Sequence, residues 1–269
     1  MLNTAEEFVK NQNGESVMGP MNPSLHYELG VLVDGFEQPP YFMLTHNYNY
    51  YDELIKQPGY SKLKDFYSYK LNSSQYVPTE KMERVRSFLQ KKYDVTIRNA
   101  SLKHFDRELD ILFTLYNDAF TGHWGFTPME KNEFRLLAKD MKAIIDPRMI
   151  LIAEINKQPV AFLLCLPNFN EVFTRVKNGR LFPFGIFKFL AGRKKIKSAR
   201  VITVAVKKSY EHLGLGALLY PEIMKRGLLY GYHDCELSWV VEDNFIMNRI
   251  ALDLGAIPYK TYRLYSKKL

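Results

Sequence analysis

Between residues 95 and 269 the apolar positions follow two rhythms. Stretches 149–155, 160–166, 199–206 and 235–241 are short and dense in Val, Ile, Leu and Ala, and they predict strands. The polar link Asn156-Lys157-Gln158 makes the first two a hairpin. Ile97-Arg98 marks one more strand. Between it and the hairpin, Phe105, Leu109, Leu112, Phe113, Tyr116 and Phe120 recur at helical spacing. A second helix is predicted over 127–145, where Thr127-Pro128 supplies the start and Glu130 completes a capping-box pattern. Past 206, Leu215, Leu219 and Ile223 recur at a helical interval and predict a further helix. The order is β-α-α-β-β, an irregular stretch, then β-α-β-α-β. It predicts an α/β domain of the α+β type, with a mixed, mostly antiparallel sheet flanked by helices and one βαβ crossover.

The chain ahead of this region divides in two. Residues 73–94 are polar and charged around Pro78, and they read as a linker containing a helix over 79–91. Residues 52–70 can be laid on 248–266: Gly59 falls on Gly255, Lys64 on Lys260, Phe66 on Tyr262 and Tyr69 on Tyr265. In each copy an apolar helix ends at the glycine and an alternating strand follows. If the repeat is a duplication, residues 1–72 form the second half of a related unit, entered within its helix near 5–9. The expected domains are a partial N-terminal lobe at 1–72, a linker at 73–94 and a main domain at 95–269.

Composition narrows the class. The 269 residues are 46% hydrophobic and 25% charged, ordinary for a folded domain, and 18 Tyr and 18 Phe supply material for an aromatic-lined cleft. No apolar run reaches the ~18 residues that cross a bilayer. The polar start MLNTAEEFVKNQNGE has no signal-peptide core. Both point to a cytoplasmic protein without a membrane partner. Cys165 and Cys235 sit in apolar segments and read as buried free thiols. No Cys/His grouping has metal-ligand spacing, so no metal is expected. The net charge of +8 favours an anionic partner. The densest cationic run, Arg193-Lys194-Lys195-Ile196-Lys197, falls in a predicted loop, and no nucleic-acid-binding signature accompanies it.

The segment after 202–206 carries the chemistry. Its β-branched run gives way to Lys207-Lys208-Ser209-Tyr210-Glu211-His212-Leu213-Gly214-Leu215-Gly216, and then to the helix. Glycines at a strand-to-helix junction let a ligand approach the backbone. The free N–H groups and dipole of the helix start attract an anion such as a pyrophosphate.

The run VAVKKSYEHLGLGALL resembles motif A of the GNAT acyltransferase superfamily, a strand–loop–helix with an Arg/Gln-x-x-Gly-x-Gly/Ala signature. ELSWVVEDNFIMNRIALDLGA resembles the strand and helix that follow in the same fold. GPMN (19–22), GFEQPP (35–40), HWGF (123–126) and SWVVEDN (238–244) resemble a two-lobed bacterial GNAT-like group, with a partial second GNAT-like lobe at the N-terminus. The resemblance implies an N-acyltransferase that takes acetyl-CoA or another acyl-CoA as co-substrate and a small-molecule amine as acceptor. It implies that the backbone of Val204 and Val206 pairs with the pantetheine arm. It also implies that the N–H groups of Leu213, Gly214, Leu215, Gly216 and Ala217 hold the pyrophosphate, and that Asn244 lies near the cofactor. Trp124 and Phe126 are then placed at an acceptor pocket; the aromatic loop 179–185 either covers the same cleft or packs on the N-terminal lobe. Two departures bear on catalysis: Glu211 stands at the Arg/Gln position, and Ala251 stands where many members carry a tyrosine acid.

Acyl transfer to an amine needs a base for the ammonium proton, N–H donors for the oxyanion and a proton for the thiolate. The amine attacks the thioester directly, so no covalent nucleophile is required. Base candidates are Glu242, Glu236 and Glu154, and alternation puts Glu236, Ser238 and Val240 on one strand face. A strand N–H near Val204 is the oxyanion donor. Tyr262 and Tyr265 are acid candidates, and His212 is a candidate phosphate contact. Two other classes stay open. One is a GNAT-like module that binds CoA or another ligand without turnover, favoured by Glu211 and Ala251. The other is a basic nucleic-acid-associated protein, favoured only by charge. A homodimer is compatible with each.

Overall fold

The structure, a computed structural model, describes residues 1–22, 24–175 and 185–269. Its elements run α1 (Leu2–Asn11), β1 (Ser16–Gly19), β2 (Val31–Asp34), α2 (Tyr50–Lys56), β3 (Ser61–Asn72), α3 (Glu80–Lys92) and β4 (Val95–Asn99). They continue with α4 (Phe105–Phe120), α5 (Lys131–Met141), β5 (Ile150–Ile155), β6 (Gln158–Pro167), α6 (Asn170–Phe173) and α7 (Gly185–Arg193). The last are β7 (Ser198–Val206), α8 (Gly216–Leu229), β8 (Asp234–Val241), α9 (Phe245–Asp253) and β9 (Ile257–Lys268).

Among the described residues the strands form one sheet in the order β1-β9-β3-β8-β7-β6-β5-β4, with β2 also paired to β9. Every ladder is antiparallel except that of β7 with β8, which α8 joins as the expected crossover. The mixed, mostly antiparallel sheet read from the sequence is the one observed. Alternation along the strands explains the layers. Leu151, Ala153, Leu163 and Cys165 project into one core beneath α3, α8 and α9, whereas Ile150, Ile152, Phe162 and Leu166 project into a second beneath α4 and α5. Both faces are covered, so the central strands read as continuous apolar runs.

Two local expectations are corrected. The helix predicted over 127–145 is shorter, and its capping box does not form. Asn117 takes both backbone groups of Met129, donating to its carbonyl and accepting from its N–H at 3.0 Å each, which holds residues 127–129 off the helix. The cationic run begins on the last residue of α7 rather than wholly in a loop. Residues 179–184 of the predicted aromatic loop lie outside the described residues.

β3 and β9 pair with each other, and their register obeys the sequence repeat. Phe66 stands opposite Tyr262, its own counterpart. The pairs Asp65–Arg263 and Tyr67–Thr261 are exchanged by the same alignment, as are Lys64–Leu264 and Ser68–Lys260. The two bulged residues, Leu63 and Tyr259, are also counterparts. Tyr69 donates to Asn248 at 2.7 Å, and its counterpart Tyr265 donates to Asp52, the counterpart of Asn248. Gly59 and Gly255 both take positive φ, 92° and 80°, the left-handed cap that ends each helix. The two helix–glycine–strand units are therefore related by a local two-fold axis between Phe66 and Tyr262. β3 is hydrogen-bonded by β9 on one side and by β8 on the other, so the N-terminal segment shares the sheet of the main domain.

Candidate active site

β7 and β8 are paired only along Ser198–Val201 and Asp234–Leu237. Beyond that point each bulges against its other neighbour. Ile202 is the extra residue opposite β6, and Ser238 and Trp239 together stand against Ser68 of β3. A bulge bends and twists its strand, and two at one level open the sheet into a fork. Among the described residues, the edge of β7 that carries Val204 and Val206 has no strand beside it on the β8 side. That edge offers backbone groups to an extended chain, in the manner of an added strand.

The turn after β7 is tied to α4, with Lys208 N–H donating to Asp118 at 2.8 Å. It leads to half-buried Leu213 and then Gly214, whose φ of 69° is one that glycine adopts without strain. Gly214 and Ala217 use their N–H groups within the turn, bonding the carbonyls of Glu211 and Gly214. Among the described residues the N–H groups of Leu215 and Gly216 have no acceptor. At the helix start these two N–H groups are therefore the ones free to bond an anion. The side chains of Glu211 and His212 are exposed.

On the α4 and α5 side of the sheet, the fork meets a cavity of about 550 Å³. Leu112, Met141, Ile145, Ile150 and Leu164 wall it with an aromatic group of Tyr116, Phe120, Phe126 and Phe134. Arg200, Ile202, Thr203, Ser238, Trp239 and Asn244 line the end at the fork. Trp124 and Phe126 are both walls of this cavity. Trp124 lies 6.3 Å from Phe66 under the Lys64 ammonium, and Phe126 meets His26 edge-on at 5.1 Å. A second hollow of about 680 Å³, more open, lies over β2 and residues 45–51, away from the fork.

The fork end of the cavity is where charge is buried. Glu236, wholly inaccessible, accepts from Ser238 Oγ at 2.8 Å and lies 3.3 Å from Arg200 Nε, which also donates to Ser238 Oγ at 2.9 Å. Burial pushes the Glu236 carboxyl up to about 7, against the pull of Arg200. Arg200 Nη1 donates to the carbonyls of Phe42 and Met43. Lys260 donates to those of Gly35 and Gln38, and burial brings its ammonium down to about 8. The GFEQPP segment is thus a backbone cap on a buried cation. Sequence reasoning missed Arg200, although a lone cation inside the run ARVITVAV was the signal: in a strand covered on both faces a charge needs partners.

The other candidates are dispersed. Asn244 caps α9, accepting from Met247 N–H at 3.1 Å, and borders the fork. Glu242 is held by Lys62 at 2.6 Å and by the Asp65 N–H, outside the cavity walls. Glu154 is bonded to Arg98 at 2.7 Å near the far edge of the sheet. Tyr262 is inaccessible beneath Trp239, its hydroxyl has no partner among the described residues, and burial raises its pKa. Tyr265 is bonded to Asp52. Alternation along β8 is also corrected. The bulge at Ser238 and Trp239 resets it, so Val240 joins Leu237 in the core beneath α8 while Glu236 and Ser238 stay together. His26, another cavity wall that the sequence did not reveal, is fully bonded. Its Nε2 donates to the Thr127 carbonyl and its Nδ1 accepts from Tyr116, both at 2.7 Å.

Residues 109–255 match the Acetyltransferase (GNAT) family. The chain belongs to the GNAT acetyltransferase family. This GNAT protein is 34% identical over 275 aligned positions to "Bacterial ceramide synthase" of Caulobacter vibrioides (strain NA1000 / CB15N), an alignment that spans 100% of this chain and 71% of that protein. It is also 34% identical to "Protein YghO" of Escherichia coli (strain K12), over 100% of this chain and 70% of that one. Its fold resembles the crystal structure of a GCN5-related N-acetyltransferase from Sphaerobacter thermophilus, with a TM-score of 0.60 and 14% identity. That likeness covers 99% of this chain and 66% of the other. Membership makes this GNAT protein an acyltransferase by class, and among its described residues no helix is long and apolar enough to cross a membrane.

Proposed function

We propose that this GNAT protein is an acyl-CoA-dependent N-acyltransferase that forms an amide on the primary amine of a long-chain substrate. The observation that carries this is the aliphatic and aromatic cavity that ends at the β7/β8 fork. Its volume of about 550 Å³ suits a small molecule. Its walls favour a hydrocarbon chain over a polyamine or a free amino acid. The name of the Caulobacter relative agrees, since a ceramide is the amide of a long-chain amino alcohol and a fatty acid.

In this arrangement Val204 and Val206 pair with the pantetheine arm, and the Leu215 and Gly216 N–H groups hold the pyrophosphate. Ser238 Oγ stands at the end of the cavity, where the amine meets the thioester. The amine nitrogen bonds to the carbonyl carbon, and a β7 N–H near Val204 steadies the oxyanion. The nitrogen's proton passes to Ser238 Oγ as the serine's own proton passes to Glu236. The C–S bond then breaks, and the CoA thiolate leaves to be protonated by solvent.

The test follows CoA thiol release with acetyl-CoA and longer acyl-CoAs, each against a long-chain 2-amino alcohol, ethanolamine and spermidine. Release with the long-chain amine, and amide seen by mass spectrometry, is expected. Release with the short polar amines alone would overturn the assignment. CoA binding without release from any amine would favour a module that has lost turnover.

A further inference from the structure

α7 presents one bare side. Phe187, Leu190, Ala191 and Lys194 fall at helical spacing and all are exposed, Phe187 at 68% and Leu190 at 54%. The opposite side fixes this orientation. Phe189 stacks on Phe169 and Phe173 at 5.7 and 5.8 Å, and Gly192 lies against Val172, where a Cβ would come within 2.7 Å. Exposed cations follow the bare side at Lys194, Lys195 and Lys197, and Arg175 after α6 is exposed as well. Among the described residues none of the four is in a salt bridge. Single exposed apolar residues carry no message. An apolar stripe that runs into unpaired cations has the make-up of a helix lying in a bilayer interface.

We infer that α7 and the residues after it dock this protein on an anionic lipid bilayer. Phe187 and Leu190 enter the headgroup boundary, and Lys194, Lys195, Lys197 and Arg175 meet lipid phosphates. The net charge of +8 acts in the same direction. An interfacial helix needs no spanning run, so the hydropathy that argued against a membrane segment does not oppose it. The helix is also fastened to the cavity. Arg193 donates to the carbonyls of Ala143 and Ile145 at 2.9 and 3.4 Å, and Ile145 is a cavity wall. Docking there sets the Met141 and Ile145 end of the cavity toward the lipid, a route for a long-chain amine; that route rests on the proposed function, whereas the docking does not.

The test is cosedimentation of the full chain with vesicles of phosphatidylcholine, alone or mixed with phosphatidylglycerol. Binding to the anionic vesicles is expected to exceed binding to the neutral ones by about tenfold or more, and to weaken with salt. Phe187→Ser with Leu190→Ser, and separately Lys194→Gln with Lys195→Gln, are each expected to lose roughly tenfold. Leu229→Ser, an exposed apolar position at the end of α8, should lose nothing. The lysine pair lies outside the packed helix face, so its effect does not depend on α7 folding. Anionic binding that both double variants retain, or no preference for anionic lipid, would overturn the proposal. So would tighter binding to an RNA duplex than to the vesicles. Vesicle binding as expected, with no CoA release from any amine, would count against the proposed function and leave the docking standing.

Discussion

Ser238 donates to Glu236 across 2.8 Å, and it does so at the one end of an apolar cavity where the sheet has forked. The pair couples a group in contact with the cavity to a carboxylate that solvent does not reach. Desolvation holds that carboxyl near 7, the range in which a base accepts a proton and releases it again. A rate that rises with pH through about 7 is therefore expected. Glu236→Gln should remove that rise and lower kcat/KM by about 10²–10⁴, and Glu236→Asp should keep the rise at reduced rate. A pH profile of kcat/KM for the three proteins is the check. An unchanged rising limb in Glu236→Gln places the base elsewhere.

The same carboxyl shapes stability. Its folded pKa of about 7 lies above the ordinary 4.5. Between those values the native chain keeps a proton that the unfolded chain has released, so stability falls as pH rises through this window and stays lower above it. The full effect is on the order of 3 kcal/mol. Glu236→Gln lacks it. Melting temperatures from pH 4 to pH 8 should converge or cross for the two proteins, and parallel curves would assign the decline to other groups.

Gly214→Glu should weaken CoA binding by at least about tenfold, because it adds strain at a φ of 69° and a negative charge at the helix start. Gly214→Asn, which accepts left-handed φ better, should bind CoA nearly as the parent does. Calorimetric titration with CoA separates them, and equal loss in both would make backbone shape rather than charge the cause.

Asp65 and Glu242 share Lys62 but carry different weight. Burial works to raise the Asp65 pKa, and Arg263, bonded through both oxygens at 2.7 and 2.9 Å, with Lys62 overrides it and keeps it below the ordinary value. Its stabilising share is present above the unfolded pKa near 3.8 and is lost as pH falls below it. Asp65→Asn should cost about 2 kcal/mol in urea unfolding at pH 7, because Arg263 is left half-buried and unpaired. Glu242→Ala should cost under about 1 kcal/mol and leave kcat in place. A large loss of kcat in that variant would return Glu242 to the list of bases.

How much of this was legible in the sequence follows from how far each contact reaches. The central strands were plain because β5, β6 and β7 are covered on both faces and so are apolar at nearly every position. The repeat showed in four matched positions, from Gly59 with Gly255 to Tyr69 with Tyr265. That β3 lies between β8 and β9 did not show, because pairing across the whole chain leaves no local pattern. The fork was hidden for a different reason. It depends on single extra residues at Ile202 and at Ser238–Trp239, and a one-residue slip in register is invisible to a count of alternating positions. Glu236 was visible as a charge in an apolar run and its place beside Ser238 followed from alternation, whereas its tie to Arg200 needed the register of β8 on β7, where the two residues stand side by side.

The cavity sets the last prediction. It runs from Ser238 at the fork beneath α4 to Met141 and Ile150 on the β5 side. If it holds the chain of an amine whose nitrogen is at Ser238, the far end of the chain lies near Met141. Met141→Trp then shortens the cavity without touching the fork. Each methylene that no longer fits forfeits about 0.8 kcal/mol, so displacing three costs on the order of 2.4 kcal/mol, or roughly fiftyfold in KM. Amines whose chains stop short of Met141 should keep their KM, and kcat should hold for both groups. Measuring KM across an amine series of rising chain length is the check. The parent should improve steadily with length and the variant should stop improving at a shorter chain. An equal rise in KM for short and long amines would mean that the chain does not lie along this cavity.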